Sequence, residues 1–513
     1  AAAAAAESSA GKTVVPKLLA EKILASRPFI EGERKHLTVL FADIRGSTSV
    51  VEKLDPEEVR KYFDPILHIM MDAVHRYEGT VNQVLGDGVM ALFGAPLTHE
   101  DHALRACYAA LAMQEAMQRY SETAREGGAL KIGIGINSGE VVVRSITNDL
   151  NIYYSALGQT THLAARMEAL AGAGAILLTV DTLREVEGFV EVRSLGAREL
   201  KGFSSAVQTF ELTGVTTARN RLQAQAGRGL SNFVGRQDEI DLFRRLTAEA
   251  GSGKGRILAL VGEAGMGKSR LVREFIQTQL PPDWKVMQAF SVSYGKAAPF
   301  FPVIELLRGY FNIAVGDDGQ SAQTKILDRM LAADLTLGDA APPILALLDA
   351  LPPLPAKDLE HYSGFVEAIG KFHGMEPQEK RARTFDALKQ LLLRESRAQT
   401  LLVLFEDLHW IDSETQSFLD ILVESLSTAS ILLLVNYRLG YTHRWAAKDY
   451  YLRVRLDPLP PAGADELLGS LIGQQAELAS LRELLIKRTG GNPFFIEEIV
   501  RSLAETGALV GSR

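Results

Sequence analysis

Cysteine is almost absent from this sequence: Cys107 is the only one in 513 residues, so no disulfide can form within the chain. The lone thiol falls in HALRACYAALAMQ, a helical pattern, and reads as a buried structural side chain suited to a reducing cytoplasm. No apolar run approaches the ~20 residues a membrane helix needs, so no membrane partner is expected. Positive charge is not in excess. The 55 Lys and Arg residues against 63 Asp and Glu residues leave a net charge of -8, which disfavours non-specific nucleic-acid binding. The run Ala1 to Ala6 lacks the charged start and long apolar core of a signal peptide and reads as a tail. No repeat of solenoid period is present. What remains is ordinary globular material, 47% hydrophobic and 23% charged, long enough for about two to four domains.

Two aspartates then stand out. Asp43 in LTVLFADIRGST and Asp87 in NQVLGDGVMALFG each follow a run that reads as a buried strand. Were those strands neighbours, two carboxylates would meet at one sheet end and could hold one or two divalent metals. From Lys35 to Leu212 strands and amphipathic helices alternate, the pattern of a sheet with helices packed on it. One helix starts after Asp55, a capping residue followed by Pro56, Glu57 and Glu58. Hairpin turns are expected at Gly86-Asp87-Gly88 and at Asn137-Ser138-Gly139. His99 and His102 in THEDHALRAC lack a companion cysteine or third ligand and read as surface histidines. A short helix, PKLLAEKIL, is expected within the N-terminal segment 1–34. Residues 213–230 are polar, without a periodicity that buries a face, and read as a linker.

Beyond the linker a parallel-sheet pattern appears: ILALVG, LLVLFED and ILLLVNY, separated by helical stretches. Prolines 352, 353 and 355 mark a loop. GEAGMGKS, Gly262 to Ser269, matches G-x-x-x-x-G-K-[ST] between a strand and a helix. In such a loop the backbone at Gly262, Gly265 and Gly267 wraps phosphates. Lys268 reaches the outer phosphates, and the Ser269 hydroxyl binds Mg²⁺. Glu406 and Asp407, at the end of LLVLFED, are candidates for polarising water or holding Mg²⁺ through water. Arg438, after ILLLVNY, is placed to sense a γ-phosphate.

FVGRQDEI, the phosphate loop, FEDLHWID, NYR and GGNPFF occur in that order. Together they resemble the signal-transduction P-loop ATPases related to AAA proteins. The resemblance implies ATP or ADP with Mg²⁺, and places Val234, Gly235, Arg236 and Pro493 near the base. It divides the module into an ATPase core at 231–450 and a helical lid region at 451–513, with further C-terminal regions expected beyond Arg513. Glu406 stands where such proteins usually have an aspartate.

FADIRGST, GDGVMALFG, INSGE and LGQTTHLAAR resemble class III adenylyl and guanylyl cyclases across residues 35–212. The implied fold is a ferredoxin-like α+β domain, giving two α/β modules in all. The implied enzyme is a homodimer that turns ATP, with GTP as the alternative, into a 3′,5′-cyclic nucleotide and pyrophosphate. Two Mg²⁺ or Mn²⁺ ions would be held by Asp43, the Ile44 backbone and Asp87. Backbone groups around Ile44, Gly46, Ser47 and Thr48 would cradle the triphosphate. Arg166 matches the transition-state arginine and Lys201 the phosphate-binding lysine. Four positions depart from the family pattern. Gln83 and Ser155 stand where adenylyl cyclases have lysine and aspartate and guanylyl cyclases have glutamate and cysteine. His162 replaces an asparagine four residues before Arg166, and Gly133 replaces an arginine. A degenerate cyclase fold that only binds nucleotide or dimerises is therefore the alternative reading. An ATPase-type transcription regulator is disfavoured by the acidic charge and the lack of a helix-turn-helix pattern.

Overall fold

The computed structural model describes residues 33–47, 55–96, 98–123, 130–148, 151–203, 205–216, 218, 223–224, 230–314, 317–333, 340–352 and 365–509. The expected helix PKLLAEKIL, Thr48, Pro353 and Pro355 lie outside the described residues, as does the Ser155 side chain. The chain forms two compact units, Ala1–Gly227 and Arg228–Arg513.

The first unit begins with strand β1 (Glu33–Arg45), helix α1 (Pro56–Arg76), β2 (Thr80–Leu85), β3 (Gly88–Phe93), α2 (His102–Thr123) and β4 (Lys131–Asn148). It continues with β5 (Asn151–Leu157), α3 (Gln159–Leu170), β6 (Ile176–Thr179), α4 (Val180–Val186), β7 (Val190–Arg198) and β8 (Val207–Val215). The sheet order is β2-β3-β1-β4-β6-β8-β7, with β5 paired to β4. The β-α-β-β-α-β run over the first four strands, in spatial order β2-β3-β1-β4, is the ferredoxin-like arrangement the resemblance implied. Alternation along β1 sorts its side chains. Leu40, Ala42 and Ile44 pack with Phe63 and Met70 of α1 and with Cys107 and Met113 of α2. Leu37 and Val39 face the other way, against Val141 and Val143 of β4 and Ala164 of α3.

Asp55 caps α1, its backbone N–H donating to the Glu58 carboxylate at 3.4 Å. The β2–β3 hairpin turns at Gly86 and Asp87, as expected. The second hairpin does not exist. Asn137, Ser138 and Gly139 lie inside one continuous strand, because residues 131–143 of β4 pair with all of β1. The polar side chains that suggested a turn serve the interior instead. Asn137 donates to the Thr160 carbonyl at 3.0 Å and accepts from Thr179 at 2.6 Å. Ser138 Oγ lies 2.8 Å from Thr38 Oγ1. Nor are His99 and His102 surface residues. The His99 side chain is 10% exposed against Glu78, and His102 is 7% exposed at the start of α2. The sheet also extends past the expected domain edges: Glu33 and Arg34 belong to β1, and Thr213 to Val215, expected in the linker, belong to β8.

The second unit is a five-stranded parallel sheet in the order β10 (Lys285–Phe290), β11 (Leu401–Glu406), β12 (Ile431–Tyr437), β9 (Arg256–Val261) and β13 (Tyr451–Arg455). The three apolar runs are β9, β11 and β12, whose residues from Ile257 to Val261, Leu401 to Glu406 and Ile431 to Tyr437 are all buried. Strands β10 and β13 carry mixed polar sequences, KVMQAF and YLRVR, and escape an apolar-run search. Because β13 pairs with β9, the ATPase core runs past residue 450. Both sheet faces are covered. Leu258, Leu402 and Leu432 pack against α5 (Gln237–Gly251) and α6 (Lys268–Thr278). Ile257, Leu401 and Leu433 pack against a layer that includes α7 (Phe301–Phe311), α8 (Gly319–Ala333), α11 (Pro377–Ala398) and α12 (Ser413–Glu424), with α9 (Ala341–Leu347) and α10 (Phe365–Gly374) beside it. The C-terminal helices α13 (Pro461–Ile472), α14 (Ala479–Thr489) and α15 (Pro493–Glu505) form a small core of their own around Leu467, Leu485 and Ile496, which includes Val234.

Candidate functional sites

In the first unit the register of β1 on β3 sets Asp43 opposite Gly88, one residue from Asp87 in the turn. The two carboxyl groups come close enough for Asp87 to act directly on Asp43. Burial, and then the Asp87 charge, raise the Asp43 pKa, while Arg45 and the Ile44 N–H oppose the rise. Gly88 makes the approach possible: a Cβ there would lie 2.6 Å from the Asp43 carboxylate and 2.7 Å from the Ala42 carbonyl.

The next residues of the cluster carry no obvious sequence signal. Arg45 Nη2 pairs with the Glu168 carboxylate at 2.7 Å and also donates to the Glu168 carbonyl. Its guanidinium lies over Gly133, where a Cβ would sit 2.3 Å from Arg45 Nε. The space left by the missing residue-133 side chain is thus filled from β1. Burial raises the Glu168 pKa, and Arg45 opposes it. Two neighbouring carboxyl groups, with the nearest guanidinium already engaged by Glu168, leave local negative charge at the end of the central strands. That donor set fits a hard divalent cation.

Other expected site residues lie apart. His162 and Arg166 stand one turn apart on the exposed side of α3, opposite its buried Leu163, Ala164 and Met167. Gln83 is exposed on edge strand β2, next to a bulge, and Lys201 is exposed. Gly46 sits at φ 80° just after β1, with Ser47 following it. Among the described residues, no hydrogen bond or ion pair ties His162, Arg166, Gln83 or Lys201 to the aspartate pair.

In the second unit the phosphate loop joins β9 to α6, with Gly265 and Gly267 at φ 81° and 85°. Lys268 Nζ donates to the carbonyls of Gly262 at 2.7 Å and Glu263 at 2.9 Å. The Ser269 hydroxyl donates to Glu406. Asn436 holds both acidic residues, donating to Glu406 at 3.2 Å and accepting from the Asp407 N–H at 2.8 Å. Burial pushes the Glu406 pKa up to about 7. Asp407 is half-exposed and left-handed at φ 58°. Two of the predicted motifs close on the loop. Arg236 donates to the carbonyls of Met266 at 3.4 Å and Asp457 at 2.6 Å. Asn492, which caps α15 just before Pro493, donates to the Ala264 carbonyl at 3.1 Å. Gly235, at φ 66°, turns the chain against Leu459.

His409 was not singled out from the sequence, and Asn436 was not either. Burial, and then the charges of Arg438, Lys268 and Lys296, lower the His409 pKa to about 3, so the ring is neutral among three cations. The signal lay in its position two residues after the acidic pair, but nothing in the sequence alone tells such a histidine from a turn residue.

Comparison with known proteins agrees with this division. Residues 31–214 match the adenylate and guanylate cyclase catalytic domain, and residues 232–435 match the AAA ATPase domain. An uncharacterized protein of Rhizobium meliloti (strain 1021) is 24% identical over 481 residues, covering 92% of this chain and 44% of that protein. Adenylate cyclase 1 of the same strain is 31% identical over 216 residues, 41% of this chain and 32% of that protein. The solved adenylyl cyclase CyaB from P. aeruginosa is 31% identical, covering 37% of this chain and 98% of that one with a TM-score of 0.35. The chain therefore spans less than half the length of the two Rhizobium proteins. Residues 31–214 belong to the class III adenylate and guanylate cyclase family, and residues 232–435 to the AAA ATPase family.

Proposed function

We propose that the first unit is a nucleotidyl cyclase, converting ATP, or GTP as the alternative, to a 3′,5′-cyclic nucleotide and pyrophosphate. The observation that carries this reading is the contact of Asp43 with Asp87 across β1 and β3, kept open by Gly88. Asp43, Asp87 and the Ile44 backbone would hold Mg²⁺ or Mn²⁺. When bound, the metals lower the pKa of the attacking ribose 3′-OH and neutralise phosphate charge.

The chain's own groups supply the rest. Backbone N–H groups at Ile44, Gly46 and Ser47 would meet the triphosphate, with Thr48 the next candidate in the sequence. Arg166 and His162, exposed on α3, act in the site of the second subunit of a homodimer. Exposed Val84 and Leu85, at 46% and 43% beside Gln83 on edge strand β2, give such a dimer apolar surface. Arg166 stabilises charge on the reacting phosphate, and His162 donates one further hydrogen bond. Gln83 can donate or accept and so serves either purine, with Ser155 beside it in the reading of the base. Lys201 binds phosphate.

The second unit binds ATP through Gly262, Gly265, Gly267 and Lys268. The Ser269 hydroxyl would hold Mg²⁺, Glu406 and Asp407 orient water, and Arg438 senses the γ-phosphate. Val234, Gly235, Arg236 and Pro493 couple the bound base and loop to the C-terminal helices. This unit gates the cyclase.

The departures at Gln83, Ser155, His162 and Gly133 favour one second reading, a cyclase fold that only binds nucleotide or dimerises. One experiment separates the two. Purified protein is incubated with ATP or GTP and Mg²⁺ or Mn²⁺ beside Asp43→Ala, and the products are resolved chromatographically. Cyclic product that disappears in Asp43→Ala supports catalysis, and none under any condition overturns it.

A further inference from the structure

The helix-covered face of β1 carries a second set of metal-type donors, away from the aspartates. His36 is on β1, His102 opens α2 and Glu185 is near the end of α4, three elements distant in sequence. One donor atom from each lies within 4.8 Å of the other two. His36 Nε2 is 2.7 Å from one Glu185 oxygen, and His102 Nε2 is 3.6 Å from the other. The two imidazole rings are 5.4 Å apart between centroids.

The surroundings fix one ring. His102 Nδ1 lies 2.7 Å from the buried Thr38 hydroxyl, which in turn meets Ser138 Oγ at 2.8 Å, and Ser138 donates to Thr182 at 3.2 Å. With Nδ1 engaged by Thr38, Nε2 is the His102 nitrogen that faces Glu185, and in the tautomer protonated at Nδ1 its lone pair points there. That is the arrangement that orients metal-ligating histidines, in which the second ring nitrogen is held by a neighbour. His36, with a side chain 54% exposed, leaves a fourth position open to water.

We propose that His36, His102 and Glu185 form a site for a divalent transition ion of the zinc type. Two imidazole nitrogens and one carboxylate suit such an ion better than Mg²⁺ or Ca²⁺, which prefer oxygen ligands throughout. The ion would tie the start of β1 to α2 and α4. It is separate from the aspartate pair. His36 and Thr38 share the face of Leu40 and Ala42, whereas Asp43 is on the opposite face, about 23 Å along the strand at ~3.3 Å per residue.

The test uses the full chain, free of nucleotide, carrying Asp43→Asn and Asp87→Asn so that the first site takes no metal. Co²⁺ is titrated, followed by visible absorption and calorimetry. One equivalent with the ligand-field bands of a nitrogen-ligated ion is expected, displaced by Zn²⁺. His102→Ala and, independently, His36→Gln, an exposed position where folding is not at risk, should each weaken binding about 100-fold or more. Thr38→Val should weaken it about 10–100-fold, as loss of an orienting partner does. No Co²⁺ uptake, or uptake that survives either histidine substitution, would overturn the site and leave a hydrogen-bonded ion-pair cluster.

Discussion

Asp43 carries an electrostatic cost that burial creates and its neighbour increases. Burial and the Asp87 charge raise its pKa above the ordinary 3.8, so the folded state favours the protonated acid more than the unfolded chain does. Stability from this group is present below pH 3.8 and lost as pH rises through the folded value. Asp87→Asn removes the like charge and keeps the shape. In a chelator at pH 7 it should raise Tm by about 2–4 °C, since solvent screening holds such a repulsion to about 1 kcal/mol. The gain should shrink as pH falls toward 4. Mg²⁺ or Mn²⁺ should raise the wild-type Tm and not that of the variant. Glu406 follows the same sign in the other unit. Its contribution is present below its ordinary 4.5 and lost on passing about pH 7. Nucleotide-free wild type should therefore lose Tm relative to Glu406→Gln between pH 5 and pH 8. A gap that stays constant over that range would contradict a carboxyl titrating near neutrality.

Packing is close where β4 meets α3. A Cβ on Gly135 would lie 2.0 Å from the Glu168 backbone nitrogen, so only glycine lets the helix settle there. Gly135→Ala should cost about 1–3 kcal/mol, read as a lower midpoint in urea. It should also reduce cyclic-product formation, because Glu168 anchors Arg45 beside Asp43. The same region marks the limits of what the sequence reveals. The strand-end positions of the two aspartates, the phosphate loop and the apolar strands were legible, because each is a local pattern. The Asn137-Ser138-Gly139 segment misled, since turn-forming residues can equally satisfy buried partners, and only the thirteen-residue pairing of β1 with β4 decides which. Arg45 over Gly133, Asn436 between Glu406 and Asp407, and the companions of His102 were not legible. Each depends on contacts between residues far apart in the chain. Strands β10 and β13 were missed because their polar residues break the apolar run, although the parallel ladder accepts them at its edges.

At the scale of the whole molecule, two nucleotide-type units follow each other in one chain, and the proposed gating makes a measurable demand. Lys268→Ala should change the cyclase rate by about 5–150-fold, the range of typical coupling energies. An unchanged rate beside lost ATP binding would mean that the units act independently. The distance between the units during that cycle is open to direct optical measurement, because of Cys107. Its side chain is 0% exposed, and burial pushes its pKa up to about 12, so maleimide reagents meet no competing thiolate. These 513 residues are in effect a cysteine-free background. One new cysteine on an exposed helix of each unit would accept a donor and an acceptor dye, and energy transfer would follow the motion as ATP is added.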